Sequence, residues 1–99
     1  MQKYFFMEIK HYAGSNNGIF ELENNGEPVA EIVYQRSGDG GIIINHTGVE
    51  RAYRGQHLAQ QLVAEIAEFA RRENLKITPL CSYAKAIMER NPDYSDVLK

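Results

Sequence analysis

The alternation of apolar and polar residues has a period of two through the first half of the chain and a helical period after it. Ile19-Phe20-Glu21-Leu22-Glu23 and Pro28 to Gln35 alternate like half-buried strands. They flank Asn25-Gly26, the dipeptide that best supplies positive φ in a tight hairpin turn. A hairpin is therefore predicted. Tyr4-Phe5-Phe6-Met7-Glu8-Ile9 is β-prone and offers an earlier strand within Met1 to Tyr12, with no partner identified. Gly38-Asp39-Gly40-Gly41 marks a second turn, and the Ile42-Ile43-Ile44 run in Gly41 to Val49 suits a central strand covered on both faces. Strict alternation along that strand places His46 with Ile42 and Ile44, and Asn45, Thr47 and Val49 on the opposite face.

From about Gln56 to Glu73 the period becomes helical. Leu58, Ala59, Leu62, Val63, Ile66, Phe69 and Ala70 fall on one stripe, with Gln60, Gln61, Glu65, Glu68, Arg71 and Arg72 on the other side. Asn74 can take the left-handed conformation that ends such a helix. Leu75-Lys76-Ile77-Thr78 fits a strand returning beside the earlier one, so residues 41–79 read as a β-α-β unit with a right-handed crossover. Ser82 is the expected N-cap of a short helix over Tyr83 to Arg90, which Pro92 discourages from continuing. The predicted fold is α/β (α+β): a mixed, mainly antiparallel sheet with a central β-α-β unit and a short C-terminal helix.

Composition narrows the function. The 99 residues, 43% of them hydrophobic, suffice for one domain with one core, taken as 1–99. A formal charge of −2 argues against a dedicated nucleic-acid binder, although Arg51 and Arg54 make a local basic patch. One cysteine cannot close an intrachain disulfide, and neither a leader pattern nor a membrane-spanning apolar run is evident. A cytoplasmic address is expected, with no membrane partner. His11, His46 and His57 have no recognisable metal spacing, so no metal is expected.

The densest chemistry lies in Val49-Glu50-Arg51-Ala52-Tyr53-Arg54-Gly55-Gln56-His57-Leu58-Ala59, which joins the apolar strand to the amphipathic helix through a basic, glycine-containing turn. Unpaired amides and the positive end of the helix dipole meet there, which makes an anion site and suggests a nucleotide-like ligand. Tyr53 to Ala59 resembles the acetyl-CoA loop of the GNAT superfamily of N-acetyltransferases, usually Arg/Gln-x-x-Gly-x-Gly/Ala. Arg54 takes the first position, His57 stands where the central glycine is usual, and Ala59 fills the last. The wider string, from His46-Thr47-x-Val49 to Pro79-Leu80-Cys81-Ser82-Tyr83, resembles a small single-domain GNAT subfamily with a Cys-x-Tyr element, over roughly residues 19–99. If residue 57 lies in the first helical turn, its φ is negative and glycine is not obligatory. Its imidazole then either crowds a pyrophosphate or hydrogen-bonds to it.

The resemblance implies acetyl-CoA as cofactor, bound by Val49, Arg54, Gly55, Gln56, His57, Leu58 and Ala59, with the pantetheine arm along the strand Gly41 to Val49. It places Asn45 to Val49 near the thioester, faced by Cys81 and Tyr83. Tyr83 matches a position where many of these enzymes protonate the CoA thiolate; packing under the short helix is the other role open to it. Cys81 is either an acyl acceptor or a small buried residue beside the cofactor. His46 is a candidate base, with Glu31 as its rival. The implied reaction is acetyl transfer to an amine, either a small molecule or a protein lysine or N-terminus. The alternatives are a non-catalytic or Cys81-self-acetylating CoA sensor acting through a protein partner, and a plain interaction domain without CoA affinity. Little sequence separates the first strand region from the hairpin, where this superfamily normally has paired helices that help form the acceptor site. Acceptor and oligomeric state are not legible.

Overall fold

The two-residue turn at Asn25-Gly26 sets the register of the sheet. In a computed structural model of the chain, which describes residues 7–99, Asn25 and Gly26 have φ of 52° and 87°, the positive values this tight hairpin requires. The turn joins β2 (Asn17–Asn24) to β3 (Glu27–Arg36). Before them, β1 (Met7–Ala13) pairs antiparallel with β2, which supplies the missing partner of the first strand. The Tyr4 to Phe6 part of that expectation lies outside the described residues. After the Gly38 to Gly41 turn come β4 (Ile42–Val49), a 3-10 turn (Arg51–Tyr53), α1 (Leu58–Glu73), β5 (Ile77–Pro79) and α2 (Ser82–Arg90).

The five strands lie in sequence order, antiparallel except for the parallel β4–β5 pair, so β4, α1 and β5 form the expected β-α-β unit. All seven stripe residues of α1 are buried, together with Ala67. They pack against Phe20, Leu22, Ile32, Tyr34, Ile42 and Ile44 in one core, which also takes Ile77, Ala84, Met88 and Val97. Asn74 ends α1 in the left-handed conformation, and the Leu75 amide reaches back to the Ala70 carbonyl at 2.8 Å. The short helix begins one residue before its expected first position: Cys81, not Ser82, is its N-cap. Ser82 fills the first helical turn instead of capping it.

A bulge changes which residues of β4 face the core. Val33 pairs with His46 but Tyr34 pairs with Ile44, leaving Asn45 as an extra residue. The faces exchange there. Thr47 turns in beside the core at 9% exposure, whereas His46 lies on the open face with 57% of its side chain exposed. The expectation that His46 shares a face with Ile42 and Ile44 is thus corrected, because alternation holds only while no residue is inserted. The covering of the Ile run is also uneven: Ile42 and Ile44 are buried, but Ile43 is only half-buried.

His11 closes one end of the core. Its ring stacks on Phe20 at 4.0 Å between centroids and meets Phe69 edge-on at 4.8 Å, while Nε2 lies 2.7 Å from the Tyr34 hydroxyl. Burial, with Arg72 and Arg36 nearby, holds the imidazole below its ordinary pKa of 6.5. The folded chain therefore takes up this proton less readily than the unfolded chain does. Stability from neutral His11 is complete above 6.5 and is lost as the pH falls through the lower folded value. Denaturant midpoints at about pH 7.5 and about pH 5 should fall further in the native chain than in His11→Gln; equal slopes would remove His11 from the acid response.

Candidate functional site

Strands β4 and β5 stay together for only three residue pairs, Ile42–Ile77, Ile43–Thr78 and Ile44–Pro79. Beyond them the Ile44 carbonyl accepts the amides of Leu80 and Cys81 at 3.0 and 3.1 Å, and the chain turns away into α2. From His46 to Val49, β4 remains paired with β3 on one side only. A fork opens between the two parallel strands. It holds a cavity of about 460 Å³ lined by Thr47, Gly48 and Val49 of the strand, Tyr53, Arg54, Gly55 and His57 of the loop, Leu58 and Ala59 of α1, and His46 and Tyr83 at its rims.

The loop presents a helix terminus to this cavity. The first α1 hydrogen bond runs from the Gln61 amide to the His57 carbonyl at 3.2 Å, so the amides of Leu58, Ala59 and Gln60 precede any intrahelical acceptor. No side chain caps them, and no carboxylate stands in the first turn. Donors and dipole are thus left for an anion. Gly55 has φ of 83°, and a β-carbon built on it would meet nothing within 4 Å; glycine is needed there for backbone conformation, not for space.

His57 departs from the expected geometry. It is the N-cap of α1, not a first-turn residue, and has φ of 61° and ψ of 30°. A side chain in this left-handed region costs about 1–2 kcal/mol, though histidine is among the residues found there more often than most. The usual glycine of the loop thus has a conformational reason, and this chain meets the same conformation with an exposed imidazole.

The structure gathers most of the sequence-derived candidates but not all of them. Val49, Arg54, Gly55, His57, Leu58, Ala59, His46 and Tyr83 line the cavity, whereas Gln56 and Cys81 do not. Tyr83 is 47% exposed. Arg54 donates to the Val49 carbonyl at 3.2 Å and also lines a neighbouring hollow of about 350 Å³ with Arg51, Glu31 and Gly48. Across the bulge, His46 Nε2 lies 3.2 Å from Glu31 Oε2, so the two rival bases form one pair.

Cys81 is half-buried behind the cavity wall. Burial pushes its thiol up, but the backbone of Ala84, the Thr47 hydroxyl and the backbone of Tyr83 and Thr47 outweigh this and hold it below its ordinary value. Thr47 Oγ1 itself is buried without a hydrogen-bond partner among the described residues. Sequence reading placed Thr47 and Gly48 only within the stretch Asn45 to Val49 and gave neither a role of its own, because the bulge that exchanges the faces of β4 has no local signal. Among the described residues no cluster of three or more metal-ligating side chains occurs, and no helix is long and apolar enough to cross a membrane.

A family model described as GCN5-related N-acetyl-transferase matches residues 19–97. Protein NATD1 of Danio rerio is 31% identical over 74 residues, covering 74% of this chain and 67% of that protein. The solution structure of a GCN5-like protein from Staphylococcus aureus is 34% identical with a TM-score of 0.72, covering 91% of this chain and 87% of that one. An aminoglycoside N-acetyltransferase in complex with CoA is 10% identical with a TM-score of 0.67, covering 91% and 86%. The last likeness is one of fold.

Proposed function

Because the chain belongs to the GCN5-related N-acetyltransferase family, we propose that it binds acetyl-CoA in the fork between β4 and β5 and transfers the acetyl group to an amine. The observation that carries this reading is the fork itself, an unpaired strand edge leading to uncapped helix amides in one cavity. The residues suit the cofactor. The amides of Leu58 and Ala59 would hold the pyrophosphate, with Arg54 adding charge, and the open edge Thr47 to Val49 would hold the pantetheine arm. The buried Thr47 hydroxyl, without a hydrogen-bond partner among the described residues, would be satisfied by a polar group entering there. When bound, the cofactor supplies an activated acetyl thioester.

The side chains divide the proton transfers. With Nε2–H donated to Glu31, His46 keeps the Nδ1 lone pair and takes the proton of the incoming amine. Tyr83, which also lines the cavity, would give its hydroxyl proton to the departing thiolate. Backbone amides of the open edge are suitably placed donors for the developing oxyanion.

The low-lying thiol of Cys81 favours a second reading, in which Sγ takes the acetyl group from the thioester, CoA leaves with the thiol proton, and the labelled protein acts as a sensor. Titration of the isotopically labelled chain with acetyl-CoA, followed by mass analysis, separates the two. Amide shifts over residues 46–49 and 55–59, with repeated release of CoA in the presence of an amine and in Cys81→Ser, are expected. A single stoichiometric acetyl mass that Cys81→Ser abolishes would replace transfer to an amine with self-acetylation. No response at millimolar ligand would overturn both.

A further inference from the structure

We infer that the sheet face opposite α1 is the acceptor-docking surface, and that its occupant is a lysine-bearing, basic polypeptide segment. This rests on the acetyl-transfer reading, since the surface leads into the fork. Among the described residues neither helix covers this face: the buried side chains of α1 and α2 belong to the core on the other side. Its middle row runs across four strands as Lys10, Glu21, Glu31 and Gly48.

Glu21 and Glu31 stand directly opposite each other in the β2–β3 register. Like charges in that position repel. Lys10, opposite Glu21 in the β1–β2 register, turns its ammonium to Glu8 and Glu23 instead, 3.9 Å from each. No described Lys or Arg forms an ion pair with Glu21 or Glu31, so a cation from outside answers a repulsion the fold leaves standing. With exposed Glu8 added and Lys10 set against them, Glu8, Glu21 and Glu31 leave the surface negative, which favours a basic partner over a second copy of the same face.

Position joins charge to chemistry. Glu31 holds His46, and Gly48 beside them lines both the neighbouring hollow and the cofactor cavity. A β-carbon on Gly48 would meet His46 Nε2 at 3.0 Å, so the bare backbone there lets the imidazole lie close over Gly48, where face and fork meet. Two strand spacings, about 10 Å, separate Glu21 from Gly48. An extended segment crossing the strands, its lysine brought to the His46 imidazole beside Gly48, brings a residue two positions away about 7 Å along the row, between Glu21 and Glu31. A further row, Tyr12, Ile19 and Val33, borders a hollow of about 420 Å³ suited to an apolar side chain. The breadth and shallowness of this face favour a polypeptide over a small polyamine, which needs a concave site.

The test is an amide-resolved titration of the whole chain with a peptide carrying lysine and, two residues away, arginine. The same peptide with glutamate for arginine, and spermidine, are titrated in parallel. Shifts over residues 19–23, 31–33 and 46–48 are expected, with affinity at least about tenfold weaker for the glutamate peptide and for Glu21→Lys or Glu21→Gln. Equal affinity for the two peptides, tighter binding of spermidine on these residues, or shifts confined elsewhere would each overturn the inference. Acetyl-CoA titrated into the same variants reports separately on the cofactor reading: its failure there, with peptide binding intact, would refute acetyl transfer and leave the docking surface.

Discussion

His46→Gln is expected to slow acetyl transfer by about 10²- to 10⁴-fold, the usual contribution of a positioned general base. Glutamine can still donate to Glu31, so the contact at 3.2 Å survives in kind while the lone pair that accepts the amine proton is removed. Folding should be little affected, because the side chain is 57% exposed and exposed substitutions usually change stability by less than about 0.5 kcal/mol. Binding of acetyl-CoA should also persist, since the loop and helix amides that meet its phosphates are untouched. The measurement is thiol release at saturating acetyl-CoA with a lysine peptide, alongside cofactor affinity. Loss of turnover at unchanged affinity identifies the base. Full turnover in His46→Gln would remove it from the chemistry, and a large loss in Glu31→Gln alone would pass the role to the carboxylate.

Ile44→Ala should destabilise the fold by about 2–5 kcal/mol, the range for removing a buried aliphatic side chain and leaving a cavity. That is a large part of the 5–15 kcal/mol typical of a domain. Ile44 has no exposed surface and is the last β4 residue paired with β5. Its carbonyl also accepts the two amides at which the chain leaves the sheet. Its side chain thus anchors the base of the fork to the core beneath α1. Ile43→Ala, at a half-buried position on the other face, should cost clearly less. Denaturant unfolding of the two variants checks this, and equal losses would mean that the sheet is not packed from one side as described.

The elements that could be read in advance are those whose signals are local. Positive φ at Asn25 and Gly26 follows from residue type, as does the left-handed end of α1 at Asn74. The α1 stripe follows from the helical period, because each turn must return an apolar side chain to the same face. The Arg54 to Ala59 loop was legible for a similar reason: strand, basic turn and helix must follow one another in the chain for amides and dipole to converge.

The roles of individual side chains were less legible, and His46 and His57 show why. One inserted residue, Asn45, turns His46 from the core to the open face and Thr47 inward. It depends on how β3 pairs, which no window on β4 contains. His57 has its left-handed backbone because the incoming loop must meet the first turn of α1 at that angle, not because histidine prefers it. The Cys81 thiol likewise takes its character from Thr47 and the α2 backbone, which folding brings to it.

By itself the sequence determined the strand–turn–helix order, the β-α-β unit, the core stripe and the loop that marks the family, because each depends on residues within a few positions of one another. Only the tertiary structure decided where β4 parts from β5, which face carries His46 and Glu31, and how Glu21 comes to stand against Glu31. Those facts depend on register between strands separated along the chain, and register is set jointly by turn geometry and by burial of one face of every strand against α1, which no single strand contains.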